Sequence, residues 1–249
     1  MPIHLSEIVF PTVLNVTDQE IDVSSLTGAQ KQFYIDLLNE LVSLYESKNK
    51  SRLIVGLAGP IGAGKTVVAT LLKELSNQVK LPFDFKSVTI DAFHYRNEYL
   101  LSHVLPEGDS LKDHKGRFDT YDTEKLKVLL EAFSKGEKVS FPAYSRKTHE
   151  PIDNSVEIKN EKSLLLIEGL WLLSGRDGWK NVRPLLDYSF FMDADKDKVR
   201  SMVIFRHMKG GRNAADADRF YNTVDSKNFD EVIKTRNAAD RIIPPYYLL

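Results

Sequence analysis

The sequence predicts a three-layer α/β fold with a mostly parallel central sheet. Short apolar runs alternate along the chain with segments of helical periodicity, which is the pattern of a sheet covered by helices on both faces. Three of these runs end at an acidic residue, namely Asp91, Glu168 and Asp193. Because ligands of open α/β sheets bind outside the carboxyl ends of the strands, these acids predict one functional rim.

The elements follow in a regular order. Thr27 and Gln30 form a predicted capping box before an amphipathic helix that reaches residue 48. Apolar runs predict strands at residues 53–58, 87–90, 163–167, 188–192 and 241–243. Helical spacing predicts helices over residues 67–76, around residues 126–133 and over residues 196–209, the last ended by Gly210 and Gly211.

The composition narrows the possible functions. The chain has 249 residues of which 42% are hydrophobic, which favours one sizeable domain. We expect residues 1–26 to form an N-terminal extension and residues 27–249 a single domain. The absence of cysteine excludes disulfides, thiolate nucleophiles and cysteine-based zinc sites.

Charge and hydropathy point to a small-molecule partner. The formal net charge is only -1, so no strong field favours nucleic acid or a membrane surface. The amino terminus lacks a signal-peptide pattern, and the apolar run at residues 164–173 is too short to span a bilayer. We therefore expect a cytoplasmic protein, and the sequence leaves its oligomeric state open.

The strongest motif is Gly-Pro-Ile-Gly-Ala-Gly-Lys-Thr at residues 59–66. Small residues at Gly59, Gly62, Ala63 and Gly64 let backbone N–H groups approach phosphate oxygens at the start of a helix. Lys65 can reach the β and γ phosphates, and the Thr66 hydroxyl is suited to Mg²⁺. The strand before the loop and the helix after it favour this interpretation over a chance glycine turn.

A phosphate-binding loop alone does not define a kinase, because GTPases and transport ATPases share it. The sequence lacks an Asn-Lys-x-Asp motif for guanine, and Leu173-Ser174-Gly175-Arg176 lacks the second glycine of a transporter signature. These two classes are therefore disfavoured.

Further motifs accompany the loop. They are Asp91-Ala92-Phe93-His94, residues 115–122, residues 141–146, Leu166-Ile167-Glu168-Gly169 and a basic helix that ends at Gly210-Gly211-Arg212. From about residue 53 to residue 243 they resemble the family of uridine kinase, bacterial pantothenate kinase and phosphoribulokinase, especially its small sugar- or nucleoside-kinase-like members. Ala92 replaces the usual glycine, and Arg117-Phe118 replaces a small-Pro pair, so acceptor specificity differs from the family pattern.

The resemblance implies a P-loop NTPase fold with a helical lid at about residues 196–225. It implies transfer of the γ-phosphoryl group of ATP, with Mg²⁺, to a hydroxyl of a small polar metabolite. Sugar, nucleoside, pantothenate-like and glycerate-like acceptors all remain open.

The resemblance also assigns roles to individual residues. Asp91 is the candidate general base, or else a group that positions Mg²⁺ and substrate. Glu168, a costly charge at the end of an apolar strand, is expected to hold the metal opposite Thr66. Lys65, Arg206 and Arg212 are the expected catalytic cations. The expected acceptor-binding residues are His94, Tyr95, Tyr144, Arg146 and Asn228.

Two other functions stay open. A nucleoside monophosphate kinase would need more cations in the acceptor pocket, for which Arg117 and Arg146 are available. A nucleotide-binding regulator without turnover would not need Asp91, Glu168 and the lid arginines.

Overall fold

Nine strands occur in the computed structural model, which describes residues 2–17 and 19–245. They are β1 (Val13–Val16), β2 (Gln19–Asp22), β3 (Arg52–Ala58), β4 (Asp84–Thr89), β5 (Val139–Ser145), β6 (Glu150–Ile158), β7 (Ser163–Gly169), β8 (Tyr188–Met192) and β9 (Arg241–Ile243). Five of them form a parallel sheet in the order β4-β7-β3-β8-β9. The pairs β1-β2 and β5-β6 are separate antiparallel hairpins.

Eight α-helices accompany the strands in the described part of the chain. They are α1 (Gly28–Lys48), α2 (Lys65–Ser76), α3 (Asn97–Ser102), α4 (Thr123–Ser134), α5 (Trp179–Val182), α6 (Lys196–Lys209), α7 (Ala214–Phe220) and α8 (Ser226–Ile233). A π-helical turn at Tyr221–Asp225 joins α7 to α8. No helix in the described ranges is long and apolar enough to cross a membrane.

The predicted three-layer α/β fold is confirmed by this arrangement. Strand β3 is buried along its whole length, and its side chains alternate between two cores. Leu53, Val55 and Leu57 join α1 and α2 in one core, whereas Ile54 and Ala58 join α4 and α5 in the other. The central strands therefore lie between two helical layers.

The predicted element boundaries differ from the structure at the phosphate loop and after β4. Helix α2 begins at Lys65 and not at residue 67. Strand β4 ends at Thr89, and Ile90–Phe93 form a 3₁₀ turn in place of the strand end. The sequence did not predict the strands of either hairpin, because the apolar patterns of these strands are short.

Residues before α1 pack on the core. Leu14 and Val16 of β1 are buried together with Ile3, Ile8 and Val23, and all belong to the core that contains α1 and α2. The side chain of Asn39 in α1 also accepts a hydrogen bond from the Ile3 amide at 2.7 Å. The N-terminal hairpin thus shields one edge of this core from water.

The packing of the hairpin predicts unequal effects at two adjacent positions. Leu14 is 3% exposed and Val13 is 46% exposed. We expect Leu14→Ala to lower the free energy of unfolding by about 2 to 5 kcal/mol, and Val13→Ala to change it by less than about 0.5 kcal/mol. Urea denaturation measures both. Equal effects would contradict the docking of this hairpin.

Candidate active site

The loop at residues 59–66 is shaped for close approach of its backbone. Gly59 (φ 149°) and Gly62 (φ 79°) have positive φ angles. A Cβ atom at Gly59 would lie 2.4 Å from the Met192 carbonyl oxygen, and one at Gly62 would lie 2.7 Å from the Cβ atom of Val199. Side chains at these positions are excluded by backbone conformation and by space. Ala63 is fully buried, and Gly64 caps the N-terminus of α2.

Lys65 is a buried cation. Its Nζ atom donates to the Pro60 carbonyl at 2.8 Å, and the residue is only 6% exposed. Burial lowers the pKa of Lys65 to about 8, although the nearby carboxylates of Glu168 and Asp91 oppose this shift. An anion bound in the loop would stabilise the ammonium form.

The side chain of Thr66, in the loop after β3, contacts the side chain of Glu168 near the end of the neighbouring strand β7. The Thr66 hydroxyl donates to Glu168 Oε1 at 3.0 Å. Glu168 is 3% exposed, and burial raises its pKa while Lys65 and the hydroxyls of Thr89 and Thr66 lower it. A hydroxyl and a carboxylate at a phosphate loop are the protein oxygens that suit a Mg²⁺ ion bound to nucleotide, so these residues fit the metal.

Asp91 lies in the 3₁₀ turn that follows β4, and His94 closes the same turn. The Asp91 carbonyl accepts from the His94 amide at 3.2 Å and lies 2.9 Å from His94 Nδ1. Burial lowers the pKa of His94 to about 4, so its ring is neutral. The charge of Asp91 acts on both His94 and Lys65, so the carboxylate lies within electrostatic range of both residues.

Tyr144 and Arg146 come from the β5-β6 hairpin. The Tyr144 ring lies 5.8 Å from the His94 ring and 5.7 Å from Lys115 Nζ. Arg146 is half-buried, and its charge acts on Tyr144 and on Arg206. The hairpin thus brings Tyr144 close to His94, in the turn of Asp91.

The lid arginines differ in position. Arg206 of α6 is half-buried, and its pKa is lowered by burial and by Arg146 and raised by the carboxylates of Asp225, Asp91 and Glu168. Arg212 is exposed, and its guanidinium lies 3.9 Å from the centre of the Phe220 ring. The structure therefore places Arg206 at the site and Arg212 at its edge.

Three residues that the sequence assigned to the functional rim or to the acceptor contact other groups of the protein. Tyr95 stacks on Tyr99 at 4.3 Å and lines a small cleft together with His94, Asp122 and Asp153. Asn228 is buried, and its amide donates to the Gly116 carbonyl at 3.1 Å. Asp193 forms an ion pair with Arg236 at 2.9 Å, so the carboxylate of this third acidic residue is held by a partner outside the phosphate loop.

Two charged residues at the site were not assigned from the sequence. Lys115 donates to Asn97 Oδ1 at 3.0 Å and to the His149 carbonyl at 2.5 Å, and burial lowers its pKa to about 8. Asp225 is 3% exposed and lies 2.6 Å from His207 Nε2. Lys115 belongs to one of the family-like motifs, and Asp225 lies three residues before the predicted Asn228, so the sequence held a usable signal for both.

Known proteins resemble this chain over most of its length. The Escherichia coli protein YggC is 29% identical over 83% of this chain and 84% of its own. Pantothenate kinase of Agrobacterium fabrum is 26% identical over 89% of this chain and 67% of its own. The crystal structure of a putative fructose transport system kinase from Silicibacter sp. TM1040 has a TM-score of 0.68 and 26% identity, covering 82% of this chain and 98% of that one. The family model for the phosphoribulokinase and uridine kinase family matches residues 54–246, and the chain belongs to this family of P-loop kinases.

Proposed function

We propose that this protein transfers the γ-phosphoryl group of ATP to a hydroxyl group of a small polar metabolite. One observation carries the proposal: the buried ammonium of Lys65 lies within electrostatic reach of Asp91, Glu168 and Arg206. These groups come from the phosphate loop, two strand ends and the lid. Phosphoryl transfer depends mainly on positioning and on neutralisation of charge, and this cluster provides both.

The nucleotide end of the site is formed by the loop. Backbone N–H groups at the N-terminus of α2 and the Lys65 ammonium would bind the phosphates. Thr66 and Glu168 would hold Mg²⁺, which neutralises charge on the transferred group. The lid also contacts the loop, because Val199 and Val203 of α6 lie against Gly62, and this contact helps to exclude water from the reaction.

The acceptor end of the site begins at Asp91. Its carboxylate accepts the proton of the acceptor hydroxyl as the oxygen bonds to the γ phosphorus. The bond between that phosphorus and the bridging oxygen of ADP breaks in the same step. Arg206 stabilises the negative charge that is spread over the transferred oxygens.

The names of similar proteins and the charges at the acceptor end of the site both bear on the acceptor class. The names pantothenate kinase and putative fructose transport system kinase support the pantothenate-like and sugar acceptors among the open candidates. A nucleoside monophosphate is a second candidate, favoured by one observation. Within residues 2–17 and 19–245 neither Arg146 nor Arg206 has an ion pair within 4.0 Å, and each charge disfavours the other. Such a pair suits an anionic group, either the γ-phosphate or an acceptor phosphate.

The burial of Lys65 predicts that this residue lowers the stability of the free protein and supports the binding of nucleotide. At pH 7 the buried ammonium is costly because its pKa is depressed to about 8. We expect Lys65→Met to raise the free energy of unfolding at pH 7 by about 1 to 3 kcal/mol without nucleotide, and this gain to shrink as the pH rises from 8 towards 10.5. We expect Mg²⁺-ATP to raise the melting temperature of the parent protein much more than that of the variant.

The control for this prediction is Lys138→Met, which changes an exposed lysine. It should leave both the stability, within about 0.5 kcal/mol, and the response to nucleotide unchanged. A Lys65→Met protein that keeps the full response to nucleotide would contradict binding of phosphate in the loop.

The role of Asp91 predicts loss of acceptor-dependent turnover. The measurement is ADP release with Mg²⁺-ATP across sugars, nucleosides, pantothenate, glycerate and nucleoside monophosphates. We expect one class to stimulate release, and Asp91→Asn to lower this rate about a hundredfold or more. Asp193→Asn is the matched control, because Asp193 also follows a strand of the central sheet, β8, but is paired with Arg236; it should change the rate by no more than about threefold. ATP binding without stimulation by any acceptor would favour a nucleotide-binding regulator.

The lid predicts that its arginines contribute unequally. We expect Arg206→Met to lower kcat about a hundredfold, since a preorganised cation contributes on this scale. Arg200→Met is the control, because Arg200 is exposed and pairs with Asp218, and it should lower kcat by no more than about twofold. Steady-state kinetics with the identified acceptor measure both. Equal losses in the two variants would argue against a specific role for Arg206.

A further inference from the structure

Tyr121 carries a buried hydroxyl that has no hydrogen-bond partner in the described part of the chain. The residue is 3% exposed, and no described atom lies within hydrogen-bond geometry of its Oη atom. Buried tyrosine hydroxyls are normally paired, because an unpaired one loses its hydrogen bonds with water. Contacts within the fold therefore do not explain why this hydroxyl is buried.

The position of this hydroxyl is fixed by the structure around it. The Tyr121 backbone pairs with His94 in an antiparallel bridge, and the next amide, Asp122 N, donates to the Phe93 carbonyl at 2.7 Å. The Tyr121 ring lies 3.9 Å from the His94 ring and 5.4 Å from the Trp179 ring. Contacts on two sides hold the ring in one orientation, so the hydroxyl is preorganised.

The surroundings of the hydroxyl belong to the acceptor end of the site. Burial raises the pKa of Tyr121 well above its ordinary value, and the charges that raise it further are those of Asp91, Tyr144, Glu168 and Asp225. The phenol therefore keeps its proton and acts as a hydrogen-bond donor. Several of these neighbours are carboxylates, so the immediate environment favours a neutral hydroxyl over an anionic group.

We propose that Tyr121 Oη donates a hydrogen bond to the acceptor hydroxyl oxygen that becomes phosphorylated. This inference rests on the proposed kinase function. The acceptor hydroxyl in turn donates a hydrogen bond to Asp91. The side chains of Tyr121 and Asp91 together therefore fix the direction of the attacking lone pair. During transfer the hydroxyl proton moves to Asp91, the oxygen–phosphorus bond forms, and the bond from phosphorus to ADP breaks. Tyr121 keeps its proton throughout.

The position of Tyr121 distinguishes the acceptor from the nucleotide as its partner. Its ring packs on His94, which follows Asp91 in the same turn. Lys65 and Arg206 already provide cations for the phosphates. A neutral donor among carboxylates is better suited to the acceptor hydroxyl than to an additional phosphate oxygen.

The test is Tyr121→Phe, which removes the hydroxyl and keeps the ring contacts. With the acceptor identified by ADP release, we expect kcat/KM for the acceptor to fall about tenfold or more. The KM for ATP and the Mg²⁺ dependence should stay unchanged. The melting temperature without ligands should stay the same or rise, because an unpaired buried hydroxyl is removed.

Tyr45→Phe provides a matched control. Tyr45 is 8% exposed, and its hydroxyl donates to the Ser51 carbonyl at 2.9 Å. We expect this change to lower the melting temperature and to leave the kinetics unchanged. The two variants therefore differ in both measurements. Tyr121→Phe lowers kcat/KM without lowering the melting temperature, whereas Tyr45→Phe lowers the melting temperature and leaves the kinetics unchanged. A purely structural role of Tyr121 would not give this difference.

The outcomes separate the two proposals. Full acceptor-dependent turnover in Tyr121→Phe would overturn the role of Tyr121 and leave the kinase function intact. A rise confined to the KM for ATP or to the Mg²⁺ requirement would overturn the assignment to the acceptor. If the parent protein gave no turnover with any acceptor of the panel, the kinase proposal would be overturned, and the role of Tyr121 with it.

Discussion

The parallel register of β3, β4 and β7 is the constraint on which the rest of the site depends. Glu168 of β7 lies opposite Leu57 of β3 on one side and Thr89 of β4 on the other. Because parallel strands end at the same edge of a sheet, this register brings the phosphate loop, Glu168 and the turn of Asp91 together. A shift of one residue would turn the Glu168 side chain to the other face of the sheet, away from Thr66.

A balance of buried charges follows from this register. The carboxylates of Glu168 and Asp91 raise the pKa of Lys65, and Lys65 lowers the pKa of Glu168. Isolated burial of any one of these charges would be costly. The lid adds Arg206 to the same cluster through α6, whose valines rest on the loop. Several carboxylates and cations therefore share one poorly hydrated site, where electrostatic interactions are stronger than in water. Such a site is prepared for phosphoryl groups and for the charge that shifts during transfer.

Parts of this picture could be predicted, because their signals are local. The helix that begins after Thr27 was marked by its capping box and ends at Lys48 as expected. The predicted strands at residues 188–192 and 241–243 agree with β8 and β9. The strands of the N-terminal hairpin and of the β5-β6 hairpin escaped prediction because their apolar patterns are short. Arg206 and Arg212 looked equivalent in sequence, and only their packing distinguished them.

The sequence by itself determined the family, the fold class and the phosphate loop, because glycine spacing and apolar runs act over short stretches of chain. Tertiary structure decided which charged residues meet. It paired Asp193 with Arg236 and joined the Asn228 amide to the Gly116 carbonyl. Among the described residues it left the buried hydroxyl of Tyr121 without a hydrogen-bond partner. These outcomes depend on the positions of side chains from segments far apart in sequence, and no local pattern of residue types encodes such distances.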